Sequence, residues 1–135
     1  IIRSAEALGA LGVVMPAAHS SGITPVVVKS SAGATAHIPV LTVPNAAAFL
    51  DKAKEAGLWV IGTTDHATTS LSKIKEMKPA VVVIGSEGTG MRRLTEEKCD
   101  MTVRIPLKGK VSSLNASVAA GIICSEFSRH LMVGQ

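Results

Sequence analysis

Three short stretches rich in glycine and small polar residues follow apolar segments in this chain of 135 residues. They are Gly62-Thr63-Thr64-Asp65, Gly85-Ser86-Glu87-Gly88-Thr89-Gly90 and Pro106-Leu107-Lys108-Gly109. Glycine lets a ligand approach the backbone closely, and free N–H groups in such loops can bind its polar edges. Because ligands bind beyond the carboxyl ends of the strands in an open parallel sheet, we expect these stretches to line one site.

The second stretch does not have the spacing of a phosphate-binding loop. The segment GSEGTGMRR lacks the Gly-Lys-Ser/Thr of a P-loop and the GxGxxG register of a dinucleotide site. Glu87 would also repel a phosphate, so we expect a ligand that is not held through phosphates. Two interpretations of Glu87 remain open: it interacts with the positive end of the helix predicted from Met91, or it orients a basic partner.

A polar turn precedes the longest helix, which we predict at residues 113–131. Ser113 is predicted to be its N-cap, a position that serine favours. Asn115 and Ser117 are poor helix formers, which suggests that they face a site. The small residues that follow, among them Ala120 and Gly121, would let the helix pack closely against another backbone, such as that of a second subunit.

Histidine and cysteine positions predict little further chemistry. The four histidines are scattered, so no metal site is expected, and only Glu126 and His130 fall at helical i, i+4 spacing. Cys99 and Cys124 have no CxxC spacing and are expected to be free thiols in a reducing cytoplasm. No GxSxG or Cys–His arrangement indicates acyl transfer.

The composition is typical of one globular domain. Apolar residues make up 47% and charged residues 18%, which disfavours disorder. Aromatic residues are only 2%, so the core should consist of Val, Ile, Leu and Ala, and base-stacking platforms are disfavoured. A net charge of +4 is compatible with a polyanionic partner, although many ordinary domains share it. We expect neither a membrane span nor a signal peptide, and therefore a cytoplasmic protein.

Strand and helix patterns alternate along the chain. Strands are predicted at residues 11–15, 40–43, 58–62, 80–84 and 101–105, and helices at 1–8, 24–29, 45–56, 91–98 and 113–131, with a helical turn at 71–77. Residues 24–29 are ambiguous, because three valines favour a strand whereas Thr24-Pro25 is typical of a helix start. The alternation predicts one α/β domain with a mostly parallel sheet covered by helices on both faces.

Several segments, taken in order, resemble the motifs of a known family. They are Ile2-Arg3-Ser4-Ala5-Glu6-Ala7-Leu8-Gly9, Ile84-Gly85-Ser86-Glu87-Gly88-Thr89-Gly90-Met91, Ile105-Pro106-Leu107-Lys108-Gly109 and Ser112-Ser113-Leu114-Asn115-Ala116-Ser117-Val118-Ala119-Ala120-Gly121. Over essentially its whole length the chain resembles the SpoU/TrmH ribose 2′-O-methyltransferases of the SPOUT superfamily. Segments 30–34 and 57–63 are most similar to the subgroup that methylates a guanosine in large-subunit ribosomal RNA.

This resemblance implies a fold and a cofactor. The expected fold is an α/β domain whose C-terminal part forms a deep trefoil knot, an exception to the rule that chains are unknotted. S-adenosylmethionine would lie bent in the knot, with its adenine held by backbone groups. By position, the family's cofactor contacts fall on Thr63, Gly85, Ile105, Leu107 and Leu114, with Ser113 and Asn115 nearby.

The resemblance also implies a reaction and its residues. The family transfers a methyl group to a ribose 2′-hydroxyl and assigns activation to a motif-one arginine, here Arg3, acting across a dimer interface with Glu87 and Asn115. Because a guanidinium stays protonated in proteins, we expect Arg3 to position the target phosphate and stabilise the developing alkoxide. How the proton leaves is open.

The implied partners are RNA, in particular 23S rRNA, and a second copy of the chain; neither a metal nor a membrane is expected. A methyltransferase acting on transfer RNA and a non-catalytic RNA-binding module of the same fold are the alternatives. Residues 1–135 are expected to be the catalytic domain of a longer chain. The Asn-x-Gly that opens motif one, and the small N-terminal RNA-binding domain of many relatives, are not in this sequence.

Overall fold

The computed structural model describes residues 1–17, 32–77, 79–86 and 89–133. Its helices are α1 (Ile2–Ala7), α2 (Ala46–Glu55), α3 (Arg93–Glu97) and α4 (Ala116–Val133), with 3-10 helices η1 (Ala34–Ala36) and η2 (Leu71–Glu76). Its strands are β1 (Val13–Pro16), β2 (Val40–Val43), β3 (Trp59–Thr63), β4 (Thr69–Ser70), β5 (Ala80–Ile84) and β6 (Met101–Arg104). The predicted α/β class is thereby confirmed.

All the strand pairs are parallel, but the strands form two sheets. One sheet has the order β4-β6-β3-β5, and the other consists of β1 and β2 alone. Within the described part of the chain, no strand pair joins the two sheets. The sequence predicted a single sheet, and the structure differs. Apolar runs identify strands, but they do not specify which strands are neighbours.

Both faces of the four-stranded sheet are covered around β3, as predicted. Ile61 points into a core cluster with Ile74 of η2, Val103 of β6 and Ile123 of α4, each at most 1% exposed. Successive residues of a strand point to opposite faces, so Gly62 faces the other way. There it lies against the side chains of Met91 and Cys99, which flank α3.

The predicted helix at residues 45–56 is confirmed. The side chain of Asn45 accepts a hydrogen bond from the backbone N–H of Ala48 at 3.1 Å, which caps the helix N-terminus. Leu50 and Ala53 form its buried face. Gly57 closes the helix with a φ of +90°, a conformation in which a Cβ would be strained.

Other boundaries differ from the sequence-based expectation. β1 begins at Val13 rather than residue 11, because Leu11 is 92% exposed, and it includes Pro16, which is tolerated where a strand has only one neighbour. Thr69 and Ser70, predicted to be in a loop, pair with the end of β6. The helix predicted at 24–29 lies outside the described residues. β5 is only half-buried, because among the described strands it lies at the edge of its sheet.

We predict that Gly62→Ala destabilises the fold. A Cβ at this position would lie 2.7 Å from the sulfur of Cys99 and 2.8 Å from the terminal carbon of Met91, closer than packed atoms approach. Overpacking of this kind costs about 1–3 kcal/mol of unfolding free energy, measurable by urea denaturation. Gly109→Ala is the matched control, since nothing lies within 4 Å of its Cβ position. Adding Cys99→Ala should restore part of the loss, and an unchanged stability of Gly62→Ala would contradict the packing described.

Candidate functional site

Three of the predicted cofactor-binding residues lie at adjacent strand ends. Thr63, the last residue of β3, is in register with Ile84 of β5 on one side and Val103 of β6 on the other. Gly85 follows Ile84 directly, and Ile105 lies two residues beyond Val103. The fold therefore brings Thr63, Gly85 and Ile105 together at the carboxyl ends of adjacent strands, which is the edge of the sheet that the sequence predicted.

Hydrogen bonds join these strand ends to one another. The hydroxyl of Thr63 donates to the carbonyl oxygen of Val83 at 2.9 Å, and the backbone N–H of Thr64 donates to the carbonyl oxygen of Val103 at 3.0 Å. The hydroxyl oxygen of Thr64 is buried and has no hydrogen-bond partner within the described residues. The ends of β3, β5 and β6 are thus held together before any ligand binds.

The loop after β5 folds tightly back on Gly85. A Cβ on Gly85 would lie 2.7 Å from both the carbonyl carbon of Gly90 and the backbone nitrogen of Met91. Ser86 and Gly90 exchange two backbone hydrogen bonds of 3.1 and 2.8 Å, and Gly90 has a φ of +69°. Glycine is therefore required at residue 85 by a close approach of backbone to backbone. The predicted catalytic residue Glu87 lies outside the described residues.

The connection between β6 and α4 supplies the remaining predicted cofactor residues. Ile105 packs against the core cluster, and Leu114 is half-buried. Leu107 is 38% exposed, and Ser113 is exposed as well. In addition to the three strand ends, this connection therefore has an exposed apolar side chain, Leu107, and an exposed hydroxyl group, that of Ser113.

Asn115, rather than Ser113, is the N-cap of α4, and the prediction for Ser113 is wrong. The helix begins at Ala116, and the carbonyl oxygen of Asn115 accepts the first helical hydrogen bond, from Ala119, at 2.9 Å. The side-chain oxygen of Asn115 accepts from the backbone N–H and the hydroxyl of Ser117, at 2.9 and 2.6 Å. Asparagine caps as well as serine does, so the capping preference alone does not decide between the two residues. Within the described residues, the side-chain NH₂ of Asn115 makes no hydrogen bond.

Arg3 lies on α1, which packs against α4. A Cβ added to Gly121 of α4 would lie 3.6 Å from the hydroxyl oxygen of Ser4, the residue next to Arg3. The Arg3 side chain is exposed and forms no ion pair within the part of the chain that the structure describes. The fold thus places Arg3 and Asn115 on two helices in contact, without a direct bond between the two side chains.

One polar cluster next to the site was not predicted from the sequence. His66, three residues after Thr63, bonds through Nε2 to Oε1 of Glu96 on α3 at 2.8 Å, and its Nδ1 lies 3.4 Å from Oδ1 of Asp65. The hydrogen bond with Glu96, its charge and the neighbouring Asp65 raise the pKa of His66 above 6.5. Residues 66 and 96 are thirty positions apart, so no local spacing could have indicated this pair.

The remaining titratable groups that the structure describes form no further centre. Cys99 and Cys124 are free thiols, and burial, followed by the nearby Glu96 carboxylate, raises the pKa of Cys99 to about 11. Glu126 pairs with Arg129 at 2.7 Å. Among the described residues, no three His, Cys, Asp or Glu side chains lie close enough to hold a metal ion. In the same residues, no helix has the length and hydropathy of a membrane span.

Comparison with known proteins identifies the family. The model of the SpoU rRNA Methylase family matches residues 1–125. The structure of AviRb from Streptomyces viridochromogenes, a SpoU methyltransferase crystallised with AdoMet, superimposes with a TM-score of 0.88 at 33% sequence identity, covering 99% of this chain and 55% of AviRb. The chain belongs to the SpoU methylase family.

Two relatives show which members of the family this chain is similar to in sequence. YacO of Bacillus subtilis, whose name places it among TrmH family tRNA/rRNA methyltransferases, is 48% identical over 129 residues, which are 96% of this chain and 52% of YacO. RlmB of Pseudomonas syringae pv. tomato, a 23S rRNA (guanosine-2′-O-)-methyltransferase, is 45% identical over 128 residues, which are 95% of this chain and 51% of RlmB. The chain therefore spans about half the length of these relatives.

We predict that His66 stabilises the fold in its protonated form. Its pKa is raised in the folded state, so this contribution is present below pH 6.5 and is lost as the pH rises through the folded-state pKa. An NMR titration of the imidazole should give a pKa above 6.5, and Glu96→Gln should lower it. The difference in Tm between the unsubstituted protein and His66→Gln should shrink over the same pH range. A measured pKa at or below 6.5 would contradict the His66–Glu96 geometry.

Proposed function

We propose that this domain binds S-adenosylmethionine at the ends of β3, β5 and β6 and transfers its methyl group to a ribose 2′-hydroxyl of RNA. The observation that supports this most is the register that aligns Thr63, Gly85 and Ile105 at one sheet edge. That arrangement agrees with the contacts expected from the family motifs. The family membership and the AdoMet in the AviRb crystal support the choice of cofactor.

The residues at this edge fit S-adenosylmethionine better than a nucleotide held through phosphates. Backbone groups after Thr63, Gly85 and Ile105 are the candidates to bind the adenine, with Leu107 and Leu114 as apolar contacts and Ser113 as a polar one. The cofactor supplies an electrophilic methyl group on a sulfonium. Because the ligand carries a positive charge there rather than phosphates, a carboxylate in the Gly85 loop, such as Glu87, suits it.

We assign the acceptor side of the reaction to Arg3 and Asn115, with Glu87 as the third catalytic candidate. The guanidinium of Arg3 is exposed, without an ion pair among the described residues, so it is available to bind the phosphate next to the target ribose. As the 2′-hydroxyl loses its proton, the same cation can stabilise the oxygen's developing negative charge. The side-chain oxygen of Asn115 is held by Ser117, which leaves its NH₂ group to donate to RNA.

We propose that Arg3 acts on the site of a second copy of the chain. The groove between α1 and α4 is lined by Ser4, Val118, Gly121 and Ile122 together with the polar residues Ser117, Ser125 and Glu126. Val118 and Ile122 are 51% and 38% exposed, which leaves an apolar strip on α4 for a partner helix to cover. Gly121, between these two residues in sequence, lies against Ser4 of α1 in the same chain, so the absence of a side chain there serves the packing of α1 on α4. We also propose that the segment from β6 to α4 forms the trefoil knot of the family.

A guanosine of 23S rRNA is the proposed target. The name of RlmB, which is 45% identical to this chain, specifies that substrate. Transfer RNA is the second candidate, because the name of YacO, at 48% identity, includes both RNAs. Incubation of the full-length protein with labelled S-adenosylmethionine and either rRNA or tRNA, followed by nuclease mapping, tests the proposal. We expect label on a guanosine 2′-oxygen in rRNA; label on a base, or none on either RNA, would overturn it.

We predict that Gly85→Ala weakens binding of S-adenosylmethionine. The new Cβ would meet the backbone of Gly90 and Met91, which cannot rotate away as a flexible side chain can, so the loop after β5 must shift. The dissociation constant measured by calorimetry should rise at least about tenfold, equivalent to about 1.4 kcal/mol. Gly12→Ala, whose Cβ would make only an ordinary 3.5 Å contact, is the control. An unchanged affinity in a folded Gly85→Ala protein would place the cofactor elsewhere.

We predict that Arg3→Ala abolishes methyl transfer while cofactor binding persists. Loss of a single group that stabilises transition-state charge costs about 10²–10³-fold in kcat, and Arg3 is also expected to position the RNA. Single-turnover transfer and calorimetry with S-adenosylmethionine separate the two steps. Arg129→Ala, which removes an exposed arginine paired with Glu126, should retain transfer. Turnover by Arg3→Ala at the unsubstituted rate would rule out the assignment.

A further inference from the structure

The charged residues between Asp100 and Glu126 are all cations. Residues 101–125 include none of the ten carboxylates of the chain and three of its fourteen lysines and arginines. The three cations are Arg104, the last residue of β6, and Lys108 and Lys110 in the connection to α4. They lie within seven consecutive residues, here called the 104–110 segment, which therefore has a local charge of +3.

Most other described cations near the α2, α3 and α4 helices are neutralised by carboxylates. Lys54 pairs with Asp100 at 3.7 Å, Lys98 with Asp51 at 3.1 Å, Arg93 with Glu97 at 3.0 Å and Arg129 with Glu126 at 2.7 Å. Arg104, Lys108 and Lys110 are exposed, and none forms an ion pair within the described part of the chain. Their field is therefore available to an external anion.

The 104–110 segment also lies at the candidate site. It begins at the end of β6 and includes Ile105 and Leu107, two of the proposed cofactor contacts. Five residues after Lys110 the chain reaches Asn115, the proposed catalytic N-cap of α4. Val111, directly after Lys110, is 68% exposed, so an apolar side chain lies next to the cations. A polyanion bound here would be adjacent to the site of methyl transfer.

We propose that the 104–110 segment binds the RNA backbone, with Lys108 and Lys110 contacting the phosphates beside the target ribose. The inference rests on the proposed function and specifies which surface receives the substrate. Lysine and arginine are the usual phosphate ligands in nucleic-acid complexes, and such contacts position the chain without reading its sequence. The exposed apolar side chains of Leu107 and Val111 can contact sugar and base faces between the phosphates.

The test compares exposed lysines at different places in the fold. The variants are Lys108→Gln, Lys110→Gln and the double variant, and the control is Lys52→Gln, an exposed lysine on α2 that has no ion pair among the described residues. Binding of the full-length protein to a labelled RNA hairpin is measured across a series of salt concentrations. Log K falls as log salt rises, and each lost phosphate contact should make this negative slope shallower by about 0.7–0.9.

We expect the double variant to bind RNA more weakly with a reduced slope, and to need more RNA for half-maximal transfer, while Lys52→Gln behaves as the unsubstituted protein. Affinity for S-adenosylmethionine should not change. An unchanged slope in the double variant would overturn the inference even if methyl transfer is observed. A loss of cofactor affinity would overturn it too, by assigning the lysines to the cofactor. Failure of the unsubstituted protein to methylate RNA would count against the proposed function, whereas the salt slopes still decide the role of the lysines.

Discussion

The register of β3 between β5 and β6 is the constraint on which the candidate site depends. Thr63 is aligned with Ile84 and Val103, so the chain leaves all three strands at the same edge of the sheet. Ile61 anchors this register on one face by packing against η2 and α4, and Gly62 permits Met91 and Cys99 to approach on the other. A shift of one residue would exchange these two faces and press the Ile61 side chain against Met91 and Cys99, where there is no room even for a Cβ, so the register is strongly specified.

The same constraint explains why the loops at this edge are rich in glycine and hydroxyl groups. Gly85 admits the returning backbone of Gly90 and Met91, and the Thr63 hydroxyl bonds across to β5. Close packing at these strand ends thus favours small polar residues, which makes the positions recognisable in the sequence as short stretches of such residues.

Much of this was predictable from local patterns. Short apolar runs and period-3.6 apolar spacing placed most strands and helices, and the helix predicted at 45–56 is bounded by Asn45 and Gly57, whose capping is a local interaction. Strand neighbours, the edge position of β5 and the pair of His66 with Glu96 depend on contacts between distant residues, which no local spacing encodes. The N-cap of α4 was misplaced because Ser113 and Asn115 are equally good caps. The roles of Arg3 and Glu87 came from the family motifs alone.

The central claim is that the ends of β3, β5 and β6 form the cofactor site. A crystal structure of the full-length protein with S-adenosylmethionine tests it most directly. We expect the adenine within hydrogen-bond distance of backbone groups that follow these three strands, with Leu107 in contact with the ligand and Asn115 facing the methyl group. A cofactor bound on another surface of the domain would contradict the account. So would the absence of ordered cofactor both from soaked crystals and from co-crystals.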